Sequence, residues 1–153
     1  MTNPIPDGHH AITPYLILRN ASQAIAFYQA AFGARELFRL PGPGGTVAHA
    51  ELEIGGSRIM MADESKDGAW RSPLSVGGSP VSMVLYVADV DATFRTAVAA
   101  GATPLREVAD QFYGDRMGTV RDPFGHVWTI GTHLEDVSPE EMAKRAAAGP
   151  ETG

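Results

Sequence analysis

Apolar and polar positions along this chain fall into a pattern that occurs twice. An apolar run, Ala11-Ile12-Thr13-Pro14-Tyr15-Leu16-Ile17-Leu18, leads into Asn20 and an alanine-rich stretch that leaves through Phe32-Gly33-Ala34. A second run, Val81-Ser82-Met83-Val84-Leu85-Tyr86-Val87, leads into Asp89 and a stretch that leaves through Ala100-Gly101-Ala102. Each reads as a strand, an N-cap residue, a helix and a glycine exit, where the left-handed geometry that ends a helix costs glycine little. Three strand-like stretches follow each helix: Arg35 to Leu40, Val47 to Ile54 and Arg58 to Ala62, then Thr103 to Val108, Met117 to Arg121 and Val127 to Thr132. The last two of each set are joined by turn residues, Gly55-Gly56 and Asp122-Pro123-Phe124-Gly125. The pattern predicts an α+β fold of tandem βαβββ modules, residues 11–62 and 81–137, joined by a linking loop over 63–80.

Two segments lie outside the repeat. Residues 1–10 carry two prolines without apolar periodicity and read as a mobile lead-in. The pair His9-His10 sits in that segment, where ordering entropy opposes metal binding. Residues 138–153 open with Ser138-Pro139-Glu140-Glu141, a capping-box start for a helix from Pro139 to about Ala148, expected on the outside or against a partner subunit.

Composition narrows the chemistry. With no cysteine in 153 residues, disulfides, thiolate nucleophiles and thiolate metal sites are excluded. No apolar run approaches the roughly 18 residues a membrane span needs, and no secretory signal is visible, so the cytoplasm is the expected compartment. A net charge of -6 argues against a nucleic-acid surface. The loop Gly42-Pro43-Gly44-Gly45 lacks the following Gly-Lys-Ser or Gly-Lys-Thr of a phosphate loop, and no serine sits in a nucleophile elbow.

Alternation isolates the polar candidates. In Val47 to Ile54, Ala48, Ala50, Leu52 and Ile54 share one strand face while His49, Glu51 and Glu53 share the other. His49 and Glu51 could act as a base with its orienting carboxylate or as metal ligands from mid-strand, or lie on a solvated face. Arg116, beside Gly114 and Gly118, could clamp an anion, or be braced by Asp115 or Asp122. Tyr15, Phe112 and Tyr113 could line a pocket, and Trp70 in the linking loop either anchors that loop or covers a pocket. Trp128 reads as core, and His126 as a turn or edge residue.

The tandem halves, Ala48-His49-Ala50-Glu51-Leu52, Ile59-Met60-Met61-Ala62-Asp63, and Gly114-Asp115-Arg116-Met117-Gly118 through Asp122-Pro123-Phe124-Gly125-His126-Val127-Trp128-Thr129-Ile130 resemble the glyoxalase, bleomycin-resistance and extradiol-dioxygenase (vicinal oxygen chelate) superfamily, and within it the PhnB-like branch. The resemblance covers roughly Ile12 to Glu141. It implies cup-shaped mixed sheets with each helix on the convex side, and a divalent ion in the metal enzymes, held at positions that fall here on Thr13, Met60, Ser82 and Thr129. Two hydroxyl threonines, a serine and a thioether make a poor divalent site, so no metal cofactor is expected. The methyltransferase label attached to that branch would need a nucleotide site for which this repeat has no room. The expectation is a metal-independent small-molecule-binding homodimer holding an apolar or cationic ligand, lined by Tyr15, Met60, Trp70, Phe112, Tyr113, Arg116 and Thr129. The alternative is a lyase or isomerase that uses His49 and Glu51 with a divalent metal or as acid and base.

Overall fold

The structure, a computed structural model, describes residues 2–149. Met1, at the start of the expected lead-in, and residues 150–153, at the end of the expected tail, lie outside the described residues. In the first half β1 (Tyr15–Leu18), β2 (Arg35–Pro41), β3 (Val47–Ile54) and β4 (Ser57–Asp63) form a sheet in the order β1-β4-β3-β2. In the second half β5 (Ser82–Tyr86), β6 (Thr103–Asp110), β7 (Asp115–Arg121) and β8 (Val127–His133) form another in the order β5-β8-β7-β6. The pairs β1–β4 and β5–β8 are parallel and the remaining neighbours antiparallel. A parallel pair needs a crossover between its strands. Helix α1 (Ala21–Phe32) starts that crossover in the first half, a short helix α2 (Pro73–Val76) lies between the halves, and α3 (Val90–Ala99) repeats the role of α1 in the second. This is the α+β repeat of two βαβββ modules. The chain divides into two compact units at Ser79 and Pro80.

Strand alternation gives each sheet one face for its helix. Leu16, Leu18, Ala50, Leu52, Ile54, Ile59 and Met61 are buried with Ala24, Ile25 and Tyr28 of α1. Each large apolar side chain removed from water contributes about 1.5–3 kcal/mol. Ala48, at the end of the expected apolar face, is exposed, next to a register shift between Leu40 and Pro41 on the neighbouring strand. In the second unit α3 comes so close to β7 that a Cβ on Gly118 would lie 2.8 Å from the Phe94 ring, a contact only glycine avoids. Trp128 is buried in this unit, and its indole N–H donates to Asp122 at 2.9 Å. The Asp122 carboxylate, itself buried, also accepts from the amides of Phe124 and His126 and so shapes the β7–β8 turn.

The helix starts are fixed by side chains. Asn20 and Asp89 accept from the amides of Gln23 and Ala92, as their N-cap positions require. At the end of β4, Asp63 Oδ1 accepts from the Ala21 amide at 2.8 Å and Oδ2 from the Val47 amide at 2.7 Å. At the corresponding end of β8, the Thr132 hydroxyl accepts from the Val90 amide at 3.0 Å and donates to the Val87 carbonyl at 2.9 Å. α1 leaves through Gly33 at φ 67°, whose amide donates to the Gln29 carbonyl.

Three features depart from sequence expectation or extend it. β1 begins at Tyr15 rather than Ala11, since Pro14 has no N–H to give a ladder and only its carbonyl is used, by the Met60 amide. The linking loop contains α2, four residues begun by Ser72 and Pro73, too short to show a period. The C-terminal helix α4 (Pro139–Ala147) is capped by Ser138 as expected, and is tied down through Arg145, which donates to the Phe112 carbonyl and pairs with Glu135.

Glu64, the residue after β4, orders the loop. Its carboxylate accepts from the Ser72 amide at 2.8 Å, from the Ser72 hydroxyl at 2.6 Å and from the Ser75 hydroxyl. These hydrogen bonds hold its carboxyl down at about 2.

Two outcomes follow. Asp63→Ala strands the Ala21 and Val47 amides and lowers unfolding free energy by about 2–3 kcal/mol, read by urea denaturation, with Thr132→Val costing less because a neutral hydroxyl is lost. Glu64 has a folded value near 2 against an ordinary 4.5, so its contribution is complete above 4.5 and disappears as pH falls through about 2. The stability difference between the native chain and Glu64→Gln should therefore shrink steadily across that window, followed by thermal unfolding at a series of pH values.

Candidate functional site

The face of the first sheet opposite α1 carries Tyr15, Met60, Glu51 and Phe38 as one row of paired positions across all four strands. His49 lies on the same face of β3, with its ring centroid 5.5 Å from that of Tyr15 and 5.7 Å from that of Phe38. Hydrogen bonds join these residues into a chain. The Tyr15 hydroxyl lies 2.8 Å from His49 Nδ1, and His49 Nε2 lies 3.1 Å from Glu51 Oε2. Glu51 is buried, and its other oxygen lies 3.2 Å from Nε2 of His9. His9 Nδ1 is 3.5 Å from the Thr13 hydroxyl. His9 was assigned to a mobile lead-in by sequence, yet its side chain is only 7% exposed and ends on Glu51. No local signal announces this contact, because its two residues are distant along the chain.

Beside this chain lies a cavity of about 640 Å³ within the first unit. Tyr15, Ile17, Val47, Ala48, Ala62 and Pro43 give it mostly apolar walls, and Asp63, Glu64 and Lys66 add charge. Trp70 completes the lining while 64% exposed, so it does not anchor the linking loop by burial. The loop is ordered instead by its own polar groups: the Ser65 hydroxyl donates to Asp67, and the Trp70 amide donates to Ser65 Oγ at 2.9 Å. Partial desolvation of a half-exposed side chain, reinforced by the charge of Glu51, pushes the Tyr15 phenol up from its ordinary value, so it holds its proton.

The remaining sequence candidates lie elsewhere. Tyr113 and Thr129 line a separate hollow of about 330 Å³ in the second unit, together with Ser82, Arg106 and Thr119. There Thr129 is hydrogen-bonded to Thr119 at 2.9 Å. Phe112 borders a third hollow beside Arg145. Arg116 makes two bonds to Asp91, at 2.9 and 3.0 Å, and one to Asp110 at 2.9 Å, so its bracing partners are these rather than Asp115 or Asp122. His126 is buried in the β7–β8 turn. One cluster escaped sequence reasoning: buried Asp115 accepts from the Tyr86 hydroxyl at 2.7 Å and faces His133 Nδ1 at 2.6 Å. Asp136 faces the other nitrogen of that ring, and these two hydrogen bonds hold His133 above its ordinary value.

The four positions at which the family resemblance would place a metal do not fit one here. The Thr13 hydroxyl faces His9, the Thr129 hydroxyl faces Thr119, and Met60 and Ser82 offer a thioether and a hydroxyl. None carries the charge or the strong donor a divalent ion requires. Among the described residues, no group of three or more His, Asp or Glu is arranged to hold a metal ion. No helix among them is long and apolar enough to cross a membrane.

Comparison with known proteins agrees with the fold. Uncharacterized protein Rv0887c of Mycobacterium tuberculosis is 44% identical over 135 residues, covering 86% of this chain and 79% of its own length. The crystal structure of TioX from Micromonospora sp. ML1 matches with a TM-score of 0.64 at 26% identity, over 84% of this chain and 100% of TioX. The PhnB protein of Bacillus cereus matches in fold, with a TM-score of 0.63 at 19% identity, over 80% of this chain and 99% of that one. The sequence model of the glyoxalase/bleomycin resistance protein/dioxygenase superfamily matches residues 9–130, which span both sheets, and the chain belongs to that superfamily.

Proposed function

We propose that this protein binds a small molecule without a metal, holding an apolar or cationic compound in the cavity beside Tyr15 and Trp70. The observation that carries the reading is that cavity itself: about 640 Å³, mostly apolar, and edged by an aromatic side chain left exposed. Its volume suits a drug-sized ligand. Trp70 offers a ring face for stacking or for a cation, and Asp63 and Glu64 outnumber Lys66 at the wall. The poor donor set at Thr13, Met60, Ser82 and Thr129 supports a site that works without a divalent ion. Large apolar side chains on the helix-free strand faces, Phe38 and Leu40 in the first unit and Val84 and Tyr86 in the second, are exposed in the single chain, which favours a homodimer that covers them. The second reading is a lyase or isomerase that uses His49 and Glu51 as acid and base or with a divalent ion, and the His49–Glu51 contact at 3.1 Å favours it.

Elemental analysis of untagged protein, paired with thermal-shift titrations of divalent ions and of aromatic cations, separates the two. The expected result is no stoichiometric metal, no shift with divalent ions, and stabilisation by aromatic cations. A near-stoichiometric metal that is lost in His49→Ala or Glu51→Ala would replace the binding reading with the second one. Trp70→Ala should weaken an aromatic ligand found this way by about tenfold while leaving the melting temperature of the free protein within a degree or two, since an exposed side chain contributes little to folding.

A further inference from the structure

We infer that Tyr15 meets the ligand as a hydrogen-bond acceptor, its hydroxyl proton committed to His49 by a chain running through Glu51 to His9, so that the cavity selects compounds bearing an N–H or O–H donor on an apolar ring. The inference rests on the binding reading above and assigns His49, Glu51 and His9 as positioning residues rather than catalytic ones.

The direction of the chain follows from what each group can do. An ionised carboxylate only accepts. Glu51 faces His49 Nε2 with one oxygen at 3.1 Å and His9 Nε2 with the other at 3.2 Å, so both of those nitrogens carry hydrogen. A neutral imidazole has one N–H, which leaves Nδ1 bare on each ring. Bare Nδ1 of His49 can only accept, and the group 2.8 Å away is the Tyr15 hydroxyl. The single phenolic proton is thereby used, and the oxygen is left with lone pairs. The far end is consistent: His9 Nδ1 faces the Thr13 hydroxyl, which can donate to it, at a looser 3.5 Å.

The surroundings hold this arrangement. Glu51 is buried and the His9 side chain is nearly so, and bonds sheltered from water are stronger. His49 sits near the rings of both Tyr15 and Phe38. Among the other acceptors at the wall, each oxygen of Asp63 already takes a backbone amide, and Oε1 of Glu64 takes Ser72 and Ser75. Tyr15 is the acceptor among these that lies on an aromatic ring of the apolar wall, with lone pairs left once its proton is given to His49.

Indole and benzofuran make the test, because they share a shape and differ in offering an N–H or an oxygen lone pair. Calorimetric titration of the full chain should find indole bound about fivefold more tightly than benzofuran, the scale of one net hydrogen bond of about 1 kcal/mol. Tyr15→Phe keeps the ring and should abolish that preference while benzofuran still binds. Glu51→Gln, which frees the His49 tautomer, should reduce it. Imidazole ¹⁵N spectra of the ligand-free protein supply a readout that a merely structural role would not move: His49 should be the Nε2–H tautomer, and Tyr15→Phe should shift its Nδ1 resonance. Equal binding of the two probes, or His49 as the Nδ1–H tautomer, overturns the acceptor assignment and leaves the cavity reading standing. Binding of neither probe overturns the selectivity together with the cavity reading.

Discussion

Two backbone amides, one at the first residue of α1 and one at the first residue of β3, are held by the two oxygens of Asp63. Both would otherwise lack a partner, the first because a helix start always leaves its amides unused and the second because β3 has only begun to pair. Meeting both needs with one carboxylate fixes where the helix begins relative to the sheet, and so which sheet face is covered. The next residue extends the same logic outward, since Glu64 draws in Ser72 and Ser75 and gives the linking loop its shape. The cavity borders this dipeptide, with helix anchorage on one side and loop anchorage on the other.

What the sequence reveals and what it hides divide along the range of the interactions. The helices, their caps at Asn20 and Asp89, and β3 from Val47 to Ile54 were legible because capping and alternation act between near neighbours. The start of β1 was misjudged because apolar residues before Pro14 look like strand, although proline cannot supply the ladder bond. α2 is a single turn and has no period to detect. The candidate site was less legible than the fold. Pairing of His49 with Glu51 could be read from their spacing on one strand, whereas His9 reaches Glu51 only after the whole sheet has formed. Arg116 was readable as a residue in need of a partner, but Asp91 comes from a helix and Asp110 from the adjacent strand, and no sequence rule selects them over nearer carboxylates.

Superfamily membership sets the architecture and leaves the chemistry to the individual side chains. Here the distinctive side chains cluster in the first unit: an exposed tryptophan, a phenol that keeps its proton, and a carboxylate shared by two imidazoles. The second unit carries internal bracing, with Asp122 holding a turn and a tryptophan and Arg116 spanning two carboxylates, beside the cluster of Asp115, Tyr86, His133 and Asp136.

The row of Tyr15, Met60 and Glu51 has a counterpart in the second sheet, where the same three strand positions carry Val84, Thr129 and Thr119. The molecule thus contains its own control experiment. One copy of the module folds with an aliphatic side chain and two hydroxyls at these places, so the architecture does not demand a phenol or a buried carboxylate there. The shared fold alone therefore does not account for Tyr15 and Glu51 in the other copy.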